Sequence, residues 1–119
     1  MRKGKGQEKR MKQYEHPPAE AFQLTAILHA LSDPYRLSIV QKLSVLQPQP
    51  CAPLQGDRPK SSVSHHFSVL RKAGLVRTLV VGVTHMNSLR DAELEARFPG
   101  LLKTILEAAA RSEGLPAQV

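Results

Sequence analysis

The chain has 119 residues, the length of one compact domain, which leaves little room for a second hydrophobic core. Its 17 lysines and arginines outnumber its 10 aspartates and glutamates, and the resulting charge of +7 and pI near 10.0 are typical of proteins that bind nucleic acid. The single cysteine excludes an intramolecular disulfide, and no run of about 18 apolar residues occurs. We therefore expect a cytoplasmic protein without a membrane partner.

The positive charge is concentrated in two regions. Residues 1–16 carry six basic and two acidic side chains, a net +4, and lack apolar periodicity, which predicts a disordered basic N-terminal arm. The domain should then cover residues 17–112, followed by a C-terminal tail over 113–119. Residues 58–90 hold six basic side chains and no acidic one. A surface built only for solubility mixes both signs, so this segment favours a polyanionic partner.

Two helices are predicted before the basic segment. Apolar residues recur at helical spacing from Phe22 to Leu31 and predict a first helix of about 14 residues that starts near Pro17 and Pro18. Asp33 and Pro34 are typical of a helix start, because Asp caps free N–H groups and Pro fits the first helical position. The second helix should point four residues inward: Leu37, Val40, Leu43 and Leu46.

The stretch KSSVSHHFSVLRKAGLV, residues 60–76, predicts a third helix over about 61–73. Val63, Phe67 and Leu70 fall on one apolar stripe, and Gly74 is suited to a left-handed helix end. The proline-rich residues 47–59 before it predict a loop with at most one short helical turn.

A β-hairpin and two more helices complete the predicted fold. β-Branched residues on either side of Gly82 predict strands over about 75–80 and 84–89 that turn at 81–83. A short helix over 91–97 and a second one over about 99–112 follow, interrupted at Pro99 because an internal proline removes a hydrogen bond. The fold class is thus mainly α with a small β-hairpin.

The paired histidines of the third helix do not predict a metal site. His65 and His66 point about 100° apart on a helix, whereas a helical chelate needs ligands at i and i+4. Cys51 is alone in the sequence and the other histidines are scattered. We expect no metal and no other cofactor.

Catalysis by the same helix is also not expected. Ser61 and His65 are four residues apart and could share a hydrogen bond, but a hydrolase also needs an orienting carboxylate and an oxyanion hole. The chain has no G-x-S-x-G motif and hardly any strand before this helix. The expectation is that the protein is not an enzyme, and a small Ser-His hydrolase stays the weaker alternative.

DNA recognition fits the residue types better. Opposite the apolar stripe lie Ser61, Ser64, His65 and Ser68, small or hydrogen-bonding side chains that let a helix enter a major groove. Free N–H groups at the helix N-terminus favour phosphate. His66 fits a partly buried packing residue at least as well as a DNA contact.

The stretches ALSDPYRLSIVQKL and KSSVSHHFSVLRKAGLV, followed by a hairpin and a C-terminal helix, resemble the ArsR/SmtB family of winged helix-turn-helix transcriptional regulators. The resemblance covers about residues 18–110. It implies a homodimeric, cytoplasmic repressor that binds double-stranded DNA at an inverted-repeat operator. The first and last helices would form the dimer interface, and the hairpin would be the wing.

Two features of that family's metal sensors are missing. Arsenic and cadmium sensors carry a C-x-C-type pair in or beside the helix before the recognition helix, where this chain has PQPCAPLQGDRP with one cysteine. Zinc and nickel sensors use histidine among the ligands on the last helix, and this last helix has none. The resemblance therefore implies a regulator without the familiar metal sites.

The residues expected to contact DNA fall into three groups. Base edges and nearby phosphates are assigned to Ser61, Ser62, Ser64 and His65. Phosphates are assigned to Lys60, Arg71 and Arg77, and the wing contacts to Thr84 and His85. Cys51 is a candidate redox switch because it lies just before the recognition helix with basic residues near in sequence. An RNA-associated basic protein stays an alternative, although exposed aromatic platforms are lacking in the basic segment.

Overall fold

The computed structural model describes the backbone of residues 13–118 and the side chains of residues 13–112. A single 3-10 turn over Ala19–Ala21 precedes the regular elements. In chain order these are α1 (Leu24–Leu31), α2 (Pro34–Val45), β1 (Gln49–Pro50), α3 (Ala52–Gln55), α4 (Lys60–Ala73), β2 (Val76–Val81), β3 (Thr84–Leu89), α5 (Asp91–Arg97) and α6 (Leu101–Gln118). The predicted class, mainly α with a small hairpin, is confirmed. No helix of the described residues is long and apolar enough to cross a membrane.

The strands form one small antiparallel sheet in the order β1-β3-β2. The predicted β2-β3 hairpin is confirmed, and it pairs Val76 with Leu89 at its base. Its turn is one residue shorter than predicted, because Val81 belongs to β2 and pairs with Thr84 at the tip. The two-residue strand β1 was not predicted, because its pairing with Asn87 and Met86 is decided by tertiary contacts rather than by local pattern. The adjacent four-residue α3 is the short helical turn expected in the proline-rich connector.

The core lies between the first helices, α4 and the base of the hairpin. The predicted stripe of α4 is confirmed, since Val63, Phe67 and Leu70 are all buried. The same cluster takes in Ile27, Ile39, Val40, Leu43, Leu54, Leu75 and Val76. Because the large apolar side chains of α4 are buried on one face of the helix, its opposite face is exposed.

The prediction of one first helix of about 14 residues is wrong. A 3-10 turn ends at Ala21, Phe22 has extended backbone angles (φ −63°, ψ 136°), and α1 begins only at Leu24. Phe22 is 3% exposed and lies directly over Gly74. Packing of this aromatic ring into the core therefore overrides the local helical periodicity.

The predicted start of α2 and end of α4 are confirmed. The Arg36 N–H donates to Asp33 Oδ2 at 3.0 Å, which is the expected N-cap bond. Gly74 has φ 91°, the left-handed conformation expected after the helix. The inward position predicted for Leu46 is wrong, because this residue follows the last turn of α2 and is 64% exposed.

The final helices follow the predicted break. Helix α5 spans the predicted residues, and α6 begins at Leu101, two residues after Pro99. Its backbone continues to Gln118, beyond the predicted end at residue 112. The prediction stopped early because the apolar face ends at Ala109, and a helix backbone can continue without one.

Candidate nucleic-acid interface

The face of α4 opposite the core is polar and open. Ser61, Ser64 and His65 are exposed, Ser62 is half-buried, and Lys60 is exposed at the first helical position. Pro59 precedes the helix and no side chain caps the N-terminus. The first turn of α4 thus offers backbone N–H groups, three small hydroxyls and one ammonium to a ligand on the outer side.

His66 belongs to the inner side of the same helix. Its Nδ1 lies 3.0 Å from Arg36 Nη1 and 3.9 Å from Asp33 Oδ2, and its ring packs edge-on against Tyr35. Burial lowers the pKa of His66, and the nearby Asp33 carboxylate opposes this shift. These contacts within the protein account for the position of the His66 side chain, and no ligand is needed to explain it.

A cleft of about 740 Å³ separates α4 from the wing and the connector. Five of the residues predicted to contact DNA line it: Lys60, Ser64, Arg71, Thr84 and His85. Cys51 and Phe67 also line it, and among the residues that the structure describes no acidic side chain lines the cleft. The fold therefore brings most of the predicted site onto one concave, positively charged surface, with Ser61 and His65 on the exposed helix beside it.

Arg71 is held in a fixed position inside this cleft. Its guanidinium lies over the Tyr14 ring, 3.8 Å from the ring centroid, and Nη1 donates to Thr78 Oγ1 at 3.2 Å. Burial lowers the pKa of Arg71. The Thr78 hydroxyl in turn donates to Asn87 Oδ1 at 2.7 Å, so Arg71 ties α4 to both strands of the wing.

Arg77 lies apart from the cleft. Its Nη2 donates to Glu93 Oε1 at 3.0 Å, and the same carboxylate accepts two bonds from the buried Arg90. These hydrogen bonds, with Arg90 first, lower the pKa of Glu93 to about 2. A phosphate bound by Arg77 would have to compete with Glu93.

Three residues that contact the wing were not predicted from the sequence: Gln13, Tyr14 and His16. The Val80 N–H donates to Gln13 Oε1 at 2.8 Å, and Gln13 Nε2 donates to the Val80 carbonyl at 3.1 Å. The Thr78 N–H donates to His16 Nε2 at 3.0 Å, and the Tyr14 hydroxyl lies 3.0 Å from His85 Nδ1. Residues 13–16, expected to belong to a disordered arm, thus pack along the edge of β2, while residues 1–12 of that arm lie outside the described residues.

No sequence pattern indicates these contacts, because they join positions more than sixty residues apart through single side chains. His16 accepts its hydrogen bond and must therefore be neutral. Burial lowers the pKa of His16, with further contributions from Arg77, Arg90 and Arg71. Burial, together with the neighbouring positive charges, thus favours the neutral form that the hydrogen bond requires.

Cys51 is a free, half-buried thiol. Its Sγ accepts a hydrogen bond from Asn87 Nδ2 at 3.4 Å, which places the thiol against β3 at the base of the wing. Among the residues that the structure describes, no cluster of three or more His, Cys, Asp or Glu side chains could hold a metal ion.

Comparisons with known proteins point to one class. A family model described as a helix-turn-helix domain matches residues 31–78. An uncharacterized HTH-type transcriptional regulator of Bacillus subtilis (strain 168), YceK, is 35% identical over 82 residues, which cover 66% of this chain and 82% of that protein. The crystal structure of an ArsR family transcriptional regulator matches with a TM-score of 0.58 and 25% identity, over 68% of this chain and 90% of the other.

Proposed function

This chain belongs to the ArsR family of winged helix-turn-helix transcriptional regulators, and from that premise we propose that it is a homodimeric repressor of an inverted-repeat operator. The observation that carries the proposal is the exposed polar face of α4 beside a cleft that, within the described part of the chain, has no acidic side chain in its lining. Such a surface suits the negative charge and the groove dimensions of double-stranded DNA.

In this proposal α4 is the recognition helix. The short side chains of Ser61 and Ser64 allow close approach to base edges, and His65 beside them can donate or accept a hydrogen bond. Lys60 at the helix N-terminus contacts a phosphate, where the helix dipole adds to its charge. Ser62, being half-buried, is assigned to a nearby phosphate rather than to a base.

The wing supplies the second set of contacts. Thr84 is exposed at the tip of the hairpin and His85 lines the cleft, so both are assigned to the DNA backbone or minor groove beside the half-site. Arg71 completes the phosphate contacts from a fixed position. Arg77 stays assigned to a phosphate, in competition with Glu93.

Homodimerisation is supported by apolar surface on the first and last helices. Leu24 and Leu28 are 43% and 47% exposed on one face of α1, and Leu101 and Ile105 are only partly buried on α6. Two such surfaces related by a two-fold axis would place two copies of α4 on successive major grooves of one DNA face. Because its target is chromosomal DNA, we place the protein in the cytoplasm.

We propose that the inducer is not a metal ion bound at the sites that the family's arsenic, cadmium, zinc and nickel sensors use. One free thiol, Cys51, is retained as a candidate redox switch, because it contacts the wing through Asn87 and is the N-cap residue of α3, the short helix of the connector ahead of α4. Mild peroxide should then release DNA from the wild-type protein but not from a Cys51→Ser variant. Equal behaviour of the two proteins would leave Cys51 as a packing residue.

The proposal is tested by selecting genomic DNA fragments that bind the purified protein. The enriched sequence should be an inverted repeat, and it should bind at least about 10³ times more tightly than scrambled DNA at physiological salt. Single-stranded and duplex RNA of the same sequence serve as competitors that test the RNA-binding alternative. Enrichment of no sequence, or stronger competition by RNA than by the selected DNA, would contradict the proposal. A reporter gene behind the operator should be expressed more strongly when the regulator is absent.

A further inference from the structure

Two polar side chains are completely buried in the wing. Thr78 of β2 and Asn87 of β3 lie opposite each other in the hairpin, and both are 0% exposed. The Thr78 hydroxyl donates to Asn87 Oδ1 at 2.7 Å. An apolar pair of similar shape could fill this position at little or no cost in stability, so packing alone does not explain why the pair is polar.

The hydrogen bonds of this pair have a fixed direction. Asn87 Nδ2 donates to the carbonyl oxygens of Gln49 and His85 at 3.1 and 3.3 Å, so Oδ1 is the acceptor that faces Thr78. Because the Thr78 hydroxyl uses its only proton for Asn87, its lone pairs are left for a donor. Arg71 Nη1 is that donor, at 3.2 Å. Contacts that begin on β1 and β3 are thus passed through β2 to a guanidinium of α4.

Tyr14 supports the same guanidinium by a second contact. Arg71 Cζ lies 3.8 Å from the centroid of the Tyr14 ring, an arrangement in which the ring attracts the positive charge without neutralising it. The Tyr14 hydroxyl lies 3.0 Å from Nδ1 of His85 on β3, which ties the ring itself to the wing. Two independent contacts therefore restrict Arg71.

Arg71 differs from the other arginines of the wing region in lacking a carboxylate partner. Arg77 and Arg90 both bond to Glu93, whereas no acidic side chain of the described residues pairs with Arg71. A half-buried positive charge without a counter-charge costs free energy until an anion binds it. Its Nε and Nη2, which make no hydrogen bond within the described part of the chain, form one side of the guanidinium and match two oxygens of a phosphate.

We propose that Thr78, Asn87 and Tyr14 are positioning residues that hold Arg71 in the orientation in which it binds one phosphate of the operator through Nε and Nη2. The inference rests on the proposed function, because it takes Arg71 to contact DNA. It explains why two buried polar side chains are kept in the wing. A guanidinium that is already fixed loses little conformational entropy when the phosphate binds.

The proposal is tested with operator duplexes in which single phosphates are replaced by neutral methylphosphonates. At the phosphate that Arg71 contacts, this replacement should weaken wild-type binding about tenfold or more, and it should have no effect on Arg71→Ala. The double variant Thr78→Val/Asn87→Leu removes both buried partners and leaves neither unsatisfied, so its urea midpoint should stay close to that of the wild type. Its binding should nevertheless lose most of the sensitivity to that phosphate.

Variants of Tyr14 test the second contact without changing the buried pair. Tyr14→Ala should also lose most of the sensitivity, whereas Tyr14→Phe should keep it, because the ring against Arg71 remains. Ser44→Ala is the control for loss of a hydroxyl, since Ser44 is exposed on α2 and its Oγ donates to Gln41 of the same helix.

The hold on Arg71 can also be measured without DNA. Restricted rotation of the guanidinium gives separate NMR signals for its Nη protons, and these signals should merge in Thr78→Val/Asn87→Leu. Equally averaged signals in the wild type and the variant would overturn the proposal. Full sensitivity to the phosphate in the double variant and in Tyr14→Ala, or the absence of any phosphate whose effect depends on Arg71, would overturn it as well. Failure of the wild type to bind an operator would instead contradict the proposed function, and the NMR signals would still decide whether Arg71 is held.

Discussion

At the scale of single residues, the side chains that face DNA in the proposal differ in what they can read. A hydroxyl or an imidazole can distinguish base edges, whereas an ammonium beside a phosphate is indifferent to sequence. Ser64→Ala and His65→Ala should therefore weaken binding to the operator by about 1–3 kcal/mol each and leave nonspecific binding almost unchanged. Lys60→Ala should weaken all DNA sequences and lower the salt slope by about one unit.

Binding titrations at several salt concentrations, with operator and scrambled duplexes, separate these two effects. Lys42→Ala is the matched control for Lys60, since Lys42 is also exposed but lies on α2. Identical profiles for the serine and lysine variants would show that the roles are wrongly assigned.

Glu93 gives a residue-scale prediction about pH. Hydrogen bonds from Arg90 and Arg77 lower its pKa from 4.5 to about 2 in the folded protein. A lowered folded-state pKa stabilises the fold at pH above the unfolded value, so this contribution is complete above about pH 4.5 and is lost as the pH falls towards 2. Because Glu93 is 40% exposed, solvent screening makes the contribution small.

The free energy of unfolding should accordingly fall less steeply between pH 4.5 and 2 in Glu93→Gln than in the wild type. Urea unfolding at fixed protein concentration across this range measures the difference. Glu107→Gln is the control, because Glu107 forms no ion pair within the described part of the chain. A slope unchanged in Glu93→Gln would mean that the arginines do not hold this carboxylate in solution.

At the scale of elements, the features that were predicted correctly are those that depend on residues close together in the sequence. The Asp33 cap, the Gly74 end and the stripe of α4 all depend on residues within a few positions of one another, and all three are confirmed. The first helix and β1 depend on distant partners, Phe22 on Gly74 and Gln49 on Asn87, and no local pattern of residues indicates either contact. The same applies to the site, where α4 could be predicted but Tyr14 against Arg71 could not.

Gly74 ends α4 through its local backbone conformation and also lies against the distant Phe22 ring, so its replacement tests both effects. Its φ of 91° disfavours any side chain, and an added Cβ would lie 2.3 Å from Phe22 Cε1. Gly74→Ala should therefore lower the free energy of unfolding by about 2–4 kcal/mol, from backbone strain plus displacement of the ring. In Gly100→Ala only the strain of about 1 kcal/mol is expected, because φ is 80° and no atom lies within 4 Å.

Urea unfolding of both variants at one protein concentration measures these costs. The double variant Phe22→Ala/Gly74→Ala should show less than the sum of the two single losses, because the clash is absent without the ring. Equal losses in Gly74→Ala and Gly100→Ala, or strict additivity in the double variant, would refute the steric part of the explanation.

At the scale of the whole molecule, the chain is elongated, with principal extents of 63 × 34 × 21 Å, and its long last helix carries apolar residues that the domain covers only in part. Leu24 and Leu28 add an exposed apolar patch on one face of α1. A second copy of the chain would remove both surfaces from water at once. The proposed twofold dimer would also explain how one small recognition helix reaches operator affinity, since two linked half-sites can exceed the affinity of one by a factor of about 10²–10⁴.

Leu28→Glu should therefore produce a monomer and lower operator affinity by about two orders of magnitude or more, because a carboxylate buried at an apolar interface is costly and the second half-site is lost. Light scattering should give twice the chain mass of 13.1 kDa for the wild type and the single chain mass for the variant. Val45→Glu is the control, since Val45 is 86% exposed but lies at the end of α2. Its mass and affinity should match the wild type. If the Leu28→Glu protein is dimeric, the interface must lie elsewhere. A dimer also predicts that the two half-site centres of the operator lie about 10 base pairs, or a multiple of that, apart. A wild-type protein that is monomeric at micromolar concentration would contradict both the dimer and this spacing.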